Sequence, residues 1–355
     1  MPEPESDRGP GAGSGRLALR RGIVVAAEPL EVEVAGKRRR AWADRQLLGE
    51  MREGDEVVVN VAALDLGLGS GGFDVVHVNL TRGLEGGERG GEHVIKLNYT
   101  SLQHAVTPIE EAGDRRSGRP RAFRVLVLPL HGHLAPAAWA AAAARPGLEI
   151  GYVQTGGGAL PGSLSRDVGE LRQRGLLTAQ ITAAPAYGGE HDALSTLGAL
   201  DAGRDLGWDA AIVGPGPGII GSGTEYGHGG IAALESAHAA LSLKLPTLVS
   251  PRLSCADPRP RHLHLSHHTH TLLELLLAPV EIAVPEGEIA GAAAARGYLE
   301  SAAAAGGHTL ASAAVDLDAY AATGLPTTTM GRPLAEDPLF FAAPLAAGAL
   351  LARPG

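Results

Sequence analysis

Between about residue 120 and residue 315, short uninterrupted apolar runs alternate with Ala/Leu-rich segments of helical length. No other feature of the chain restricts its fold so strongly. A strand that is apolar at every position has no solvent face, so it must be covered on both sides. Regular alternation with helices supplies that cover as right-handed crossovers between parallel strands. The runs are 123–128, 148–154, 177–183, 210–213 and 247–250, followed in turn by predicted helices at 135–145, 165–174, 192–206, 228–243 and 267–277. Further strands at 281–284 and 310–315 flank a helix at 289–304. The pattern predicts an α/β unit over 122–355, a doubly wound and mostly parallel Rossmann-like sheet. The units fall short of the eight that a closed (β/α)8 barrel needs.

The first part of the chain reads differently. Residues 22–27, 30–35, 56–62, 74–80 and 93–97 are short β-rich runs separated by Gly, Asp and charged turns. They predict a small barrel or sandwich over 17–109. The basic run 37–40 and the glycine-rich 67–73 read as hairpin loops. A Pro/Gly/Ser-rich tail, 1–16, is expected to be disordered, and a charged stretch, 110–121, to be a linker.

Composition narrows the function classes. With 355 residues, 45% of them hydrophobic, the chain has material for two cores. A single cysteine, Cys255, rules out an internal disulfide or a multi-thiolate metal site and points to a reducing cytoplasm. The net charge of −9 is dispersed, so no nucleic-acid partner is expected. The N-terminal residues hold no apolar stretch of signal length. The apolar 339–352 falls short of the roughly 20 residues of a membrane span and contains Pro344, so it is read as a docked terminal helix.

The unusual residues all lie after a predicted strand and before the next helix. Pro129-Leu130-His131-Gly132-His133 follows the first run, and Gln154-Thr155-Gly156-Gly157-Gly158, continuing to Ser165, follows the second. Gly189-Glu190-His191-Asp192 follows the third. The fourth is followed by Gly214-Pro215-Gly216-Pro217-Gly218, Gly221-Ser222-Gly223-Thr224 and Gly227-His228-Gly229. The fifth is followed by Ser250-Pro251-Arg252, then Asp257, Arg259, Arg261 and His267-His268-Thr269-His270. In a parallel sheet such loops emerge on one edge, where ligands bind at a switch in strand order. A single crevice is therefore expected.

The chemistry follows from residue types. Thr155, Gly156, Gly157 and Gly158, with Gly216, Gly218, Gly221, Ser222, Gly223 and Thr224, suit a phosphate or carboxylate, because bare backbone N–H groups at a helix start can surround an anion. Arg252 is expected to clamp the same ligand. His131, His133, Glu190, His191, His228 and Asp257 are the candidate catalytic groups for proton transfer. His131 and His133, two apart in an extended segment, and His267 and His270, on one helix face, are the candidate ligands of a divalent metal. His262 and His264 read as surface residues. No P-loop ending or nucleophile elbow is present, and Gly216-Pro217-Gly218 is a poor dinucleotide fingerprint.

The stretch 214–230 (GPGPGIIGSGTEYGHGG), with Ser250-Pro251-Arg252-Leu253-Ser254, Ala256-Asp257-Pro258 and Ser266-His267-His268-Thr269, resembles the DUF3866 family over about residues 21–344. The resemblance implies a bacterial cytoplasmic protein and brings no catalytic residues with it. Two functions are expected from the residues themselves. The first is an enzyme acting on a small phosphorylated or carboxylated metabolite, with metal-assisted hydrolysis as one chemistry. The alternative is a non-catalytic nucleotide- or metabolite-binding sensor.

Overall fold

The structure, a computed structural model, describes residues 16–69, 71–84, 86, 91–111 and 123–353. The expected tail, save Arg16, and the linker beyond Glu111 lie outside the described residues. The chain divides into two compact units, Met1–Glu88 and Arg89–Gly355.

The first unit is a closed five-stranded barrel. Its strands are β1 (Leu19–Ala27), β2 (Leu30–Val34), β3 (Lys37–Trp42), β4 (Glu56–Asn60) and β5 (Asp74–Asn79), with single turns of helix α1 (Arg45–Leu48) and α2 (Ala62–Asp65). Round the barrel the order is β1-β2-β3-β5-β4, antiparallel except where β3 meets β5. Alternate residues point inward, so Val24, Val32, Val34, Val57, Val59 and Val76 meet in one core. The basic run is not a hairpin tip. Ala35 and Gly36, both at positive φ, make that turn, and Lys37 to Arg40 belong to β3. There Arg39 pairs with Asp65 and Asp74 and Arg38 with Glu31, so the run is held by acidic neighbours.

The second unit opens with a hairpin that the sequence reading had placed with the barrel. β6 (Val94–Lys96) and β7 (His104–Val106) pair antiparallel, and the buried Lys96 donates to the Thr182 carbonyl at 2.9 Å and to Asp192 at 2.7 Å. The division therefore falls before this hairpin. Glu110, expected in the linker, accepts from the Leu194 backbone N–H at 2.8 Å.

Behind the hairpin stands an open, wholly parallel sheet of eight strands. They are β8 (Arg124–Val127), β9 (Ile150–Thr155), β10 (Ala179–Ala183), β11 (His191–Ala193), β12 (Ala210–Pro215), β13 (Thr247–Val249), β16 (Glu281–Glu286) and β17 (Thr309–Ala314). The small hairpin β14 (Leu253–Ser254) with β15 (His264–Leu265) lies between β13 and β16, and β18 (Thr328–Thr329) pairs with β19 (Arg332–Pro333). The helices are α3 (Leu134–Ala144), α4 (Arg166–Gln173), α5 (Thr196–Asp205), α6 (Ala232–Ser242), α7 (His267–Leu275), α8 (Ala292–Gly306), α9 (Leu317–Ala321) and α10 (Pro338–Leu351). The third predicted helix starts later than expected because His191–Ala193 pairs with β10 as a strand.

Two cores confirm the doubly wound arrangement. Leu126, Tyr152, Ile212 and Leu248 pack with α3, α4 and α10, while their strand neighbours Val125, Val127, Val153, Val213 and Val249 pack with α5 to α8. The terminal helix α10 is buried along almost its whole length and lies against α3 and β16. No helix among the described residues is long and apolar enough to cross a membrane.

The strand order β11-β10-β9-β12-β8-β13-β16-β17 fixes where a ligand site can form. From β9 the chain moves outward to β10 and β11; from β12 it crosses β8 to β13 and continues the other way. The switch lies at β9, β12, β8 and β13, and the loops leaving their carboxyl ends share one rim.

Candidate functional site

The predicted motifs reach this edge but do not share one pocket. β11 is five strand spacings from β13, about 24 Å at the usual separation between strands. Glu190 pairs with Arg172 at 2.6 Å, and Asp192 is taken by Lys96 and by Thr182 at 2.7 Å. Glu190 and His191 thus lie at the far end of the edge from β13, with Glu190 engaged by Arg172.

The glycine loops have a reason other than an anion. A Cβ on Gly157, which sits at φ +94°, would stand 2.3 Å from the Gly229 carbonyl oxygen, and one on Gly158 would stand 2.1 Å from that of Gly216. Ala159 donates to the Pro217 carbonyl at 2.7 Å. The loop after β9 and the loop after β12 therefore touch backbone to backbone, and glycine is what lets them. Gly156 abuts Pro185, and Thr155 bonds to the Gly156 carbonyl at 3.2 Å. Gly218, Gly221 and Gly223 lie in an outer turn where Ser222 and Thr224 bond each other at 2.8 Å and hold Gly227. These hydroxyls serve their own loop.

The His131/His133 pair also separates. The two residues form a 3-10 turn, not an extended segment, so their rings diverge. His131 is fully engaged: its Nε2 meets the Ser165 hydroxyl at 2.7 Å and its Nδ1 the Pro215 carbonyl at 3.2 Å, with Tyr152 beside it. His133 turns the other way, with Nδ1 on the Ser250 hydroxyl at 2.9 Å and its ring edge-on to Phe340. Burial, reinforced by the Arg252 charge, lowers the His133 pKa to about 3. His270 is exposed and stands 3.7 Å from Glu274, and it is not one of the rings whose nitrogens converge at the start of α7.

What the rim does assemble is a basic cluster between the loop after β12 and the start of α7. His228 enters from the first, and Ser266, the N-cap of α7, accepts from the His268 backbone N–H and so sets His267 and His268 at the helix start. The His228 ring stacks on His268 with centroids 3.9 Å apart and planes 8° apart, and His267 meets both edge-on. One nitrogen from each of the three rings lies within 4.8 Å of the others. His228 is 7% exposed, and neither of its ring nitrogens makes a well-formed hydrogen bond among the described residues, the Glu225 backbone acting on the ring only loosely. A buried polar group left in that state costs about 1–3 kcal/mol. His262 backs the cluster, its Nδ1 on the Ser266 hydroxyl at 2.7 Å; it is buried, not a surface residue.

Arginines surround these rings. Arg252 is buried and places Nη1 3.3 Å from His268 Nδ1; its nearest carboxylate, Asp257, is 3.7 Å away. Asp257 is occupied elsewhere, gripped by Arg259 through two N–H groups at 2.8 and 2.9 Å and by Arg332 at 3.3 Å. Though burial opposes it, this pairing holds the Asp257 carboxyl well below the ordinary range, so it is a charge anchor and not a proton acceptor. Burial first, and then Arg259, lowers the Arg252 pKa to about 10. Burial and the same arginines bring His262 to about 3, and burial, His228 and the arginines bring His267 to about 4. His268 falls to about 2. The rings are neutral near pH 7, in a site with positive charge to spare.

The sequence reading named His228, His267, Arg252 and Asp257 and missed His262, His268 and Arg332. His268 was hidden because neighbours on a helix diverge by about 100°. At the first turn, with a third ring arriving from another loop, both reach the same space.

A family model described as "Protein of unknown function (DUF3866)" matches residues 40–348. No curated protein and no solved structure matches the chain.

Proposed function

The chain belongs to the DUF3866 family, and we propose that it is an enzyme acting on a small phosphorylated or carboxylated metabolite at the rim of the basic cluster. One observation carries this reading: Arg252 is buried among further arginines while the carboxylate nearest to it is already shared. A buried guanidinium short of counter-charge is stabilised by an incoming oxyanion, which its planar fork can hold through two N–H groups. The neutral imidazoles of His228, His267 and His268 then lie beside the bound group; being hard to protonate, they are weak proton acceptors near neutrality and better suited as ligands of a metal for hydrolysis. The glycine loops act indirectly, fixing the backbone from which His228 projects. A cytoplasmic place belongs to the same reading, supported by the single cysteine.

Thermal unfolding with inorganic phosphate and a panel of sugar phosphates, nucleotides and dicarboxylates tests it. A ligand at 100 times its Kd adds about 2.7 kcal/mol of stability. The Arg252→Met variant, which keeps the length and removes the charge, is expected to lose that shift. Turnover of a stabilising compound identifies the reaction, whereas binding without turnover supports the sensor reading. If no anion stabilises the wild type, the proposal fails.

A further inference from the structure

We propose that His228, His267 and His268 form the binding site of one divalent transition-metal ion of the imidazole-preferring class, zinc, cobalt, nickel or iron(II). The inference deepens the metal option of the proposed function and rests on the same ring cluster, but it needs no anion to hold.

Three observations converge. One nitrogen of each ring lies within 4.8 Å of the other two, and they come from two stretches of chain, the loop after β12 and the start of α7, which the parallel sheet brings together. His228 is buried with neither nitrogen in a well-formed hydrogen bond, the Glu225 backbone being a loose neighbour, which leaves a lone pair free for a ligand. Gly230 keeps the space over the ring nitrogens open: a Cβ there would stand 2.9 Å from His228 Nδ1 and 3.2 Å from His268 Nδ1. His267, the half-buried member, gives the ion its way in.

Coordination sets what must move. Ligand bonds of about 2.0–2.1 Å in a tetrahedron put nitrogens about 3.4 Å apart, so the ion draws the rings closer than they stand now. It also turns His228 out of its parallel stack with His268, because the in-plane lone pairs of parallel rings do not converge. Three nitrogens leave a fourth position, as in catalytic zinc sites. Arg252, 3.3 Å from His268, fixes the character of the fourth ligand. A guanidinium beside a dication disfavours a neutral ligand and favours an anion that bridges the two, so metal and phosphate are expected to bind with positive coupling, each raising the affinity of the other by the same factor.

The test uses the full chain without a histidine tag, stripped with chelator and titrated with Zn2+ and Co2+ in phosphate-free buffer. We expect one equivalent of zinc retained per chain, a visible Co2+ spectrum of four-coordinate type, and affinity at least tenfold weaker in His228→Ala and His267→Ala. His270→Ala should bind as the wild type does. His267 is half-buried, so its variant keeps the test open if His228→Ala does not fold. Zinc retention by neither wild type nor phosphate-saturated wild type overturns the proposal, as does equal binding by the wild type and a folded His228→Ala or His267→Ala. The two readings fail separately. Phosphate binding to the stripped protein with no metal uptake leaves the anion site and removes the metal site, and metal uptake with no phosphate binding does the reverse.

Discussion

Along one carboxyl edge of one sheet, two clusters of polar side chains are built on opposite principles. At β10 and β11 the buried charged pair is matched: Lys96 has Asp192 and the Thr182 carbonyl, and Asp192 also takes Thr182 and the Gly188 N–H. Between β12 and α7 the polar groups are not: neither His228 nitrogen has a well-formed hydrogen bond, and Arg252 has no carboxylate within hydrogen-bond reach. A matched set stabilises the fold and has nothing left for a ligand. A mismatched set costs stability in the free protein and is tolerated where something else completes it.

The largest effect should come from breaking the matched set. Lys96→Met leaves Asp192 without its cation in a largely buried position, and removing one partner of a buried pair costs about 3–5 kcal/mol. Urea unfolding of the larger unit should register that loss with phosphate binding intact. If unfolding is unaltered, the pair is not structural and the contrast collapses.

Next come the glycines. Gly157→Ala meets both a positive φ and the Gly229 carbonyl oxygen, so it is expected to cost about 2–3 kcal/mol and to displace His228. Gly218→Ala shares the positive φ but faces open space, for about 1 kcal/mol. An anion cradle predicts something else: both variants would lose phosphate binding with little change in stability.

This distinction also marks what could be read in the sequence and what could not. The sheet was legible because runs such as 125–128 and 210–213 are apolar at every position, and burial on both faces demands just that. The rim was legible because polar loops between buried strands and helices have one edge to occupy. The partners of each polar residue were not legible. Gly157 in sequence looks the same whether it receives a phosphate or the back of Gly229. Glu190 gives no sign that Arg172 will take it, nor His131 that Ser165 and Pro215 will. His93–Leu97 reads as a barrel strand by local pattern, and contacts such as those of Lys96 with Asp192 and Thr182 assign it to the larger unit. Pairing between distant segments is set by tertiary contact, which periodicity does not record.

A pH scan sharpens the comparison at smaller scale. His133 is neutral in the fold, with its pKa brought down to about 3, whereas in the unfolded chain it titrates at its ordinary 6.5. Above 6.5 both states are neutral and the group contributes no pH dependence. As pH falls below 6.5 the unfolded chain takes up a proton that the fold refuses, so stability is lost progressively down to about pH 3. From pH 7 to 5.5 the loss from this residue is about 1 kcal/mol. His133→Gln, which keeps a partner for Ser250, should flatten the slope by that amount in melts of the larger unit. An unchanged slope would mean that water reaches the ring.

The smallest change should also have the opposite sign. His228→Phe keeps a flat ring that can stack on His268 and deletes the two nitrogens that make no well-formed hydrogen bond. Replacing an unsatisfied buried polar group by an apolar one of similar shape is neutral or stabilising, here by up to about 1 kcal/mol. The same substitution removes a proposed metal ligand, so stability and binding should part company: a melt equal to or above the wild type in chelator, and no zinc retained. Sites kept for a ligand show this trade because the group that binds is the one the fold has not satisfied. A loss of stability comparable to that of Lys96→Met would mean that ordered water completes His228 in the free protein, and the two clusters would then be built alike.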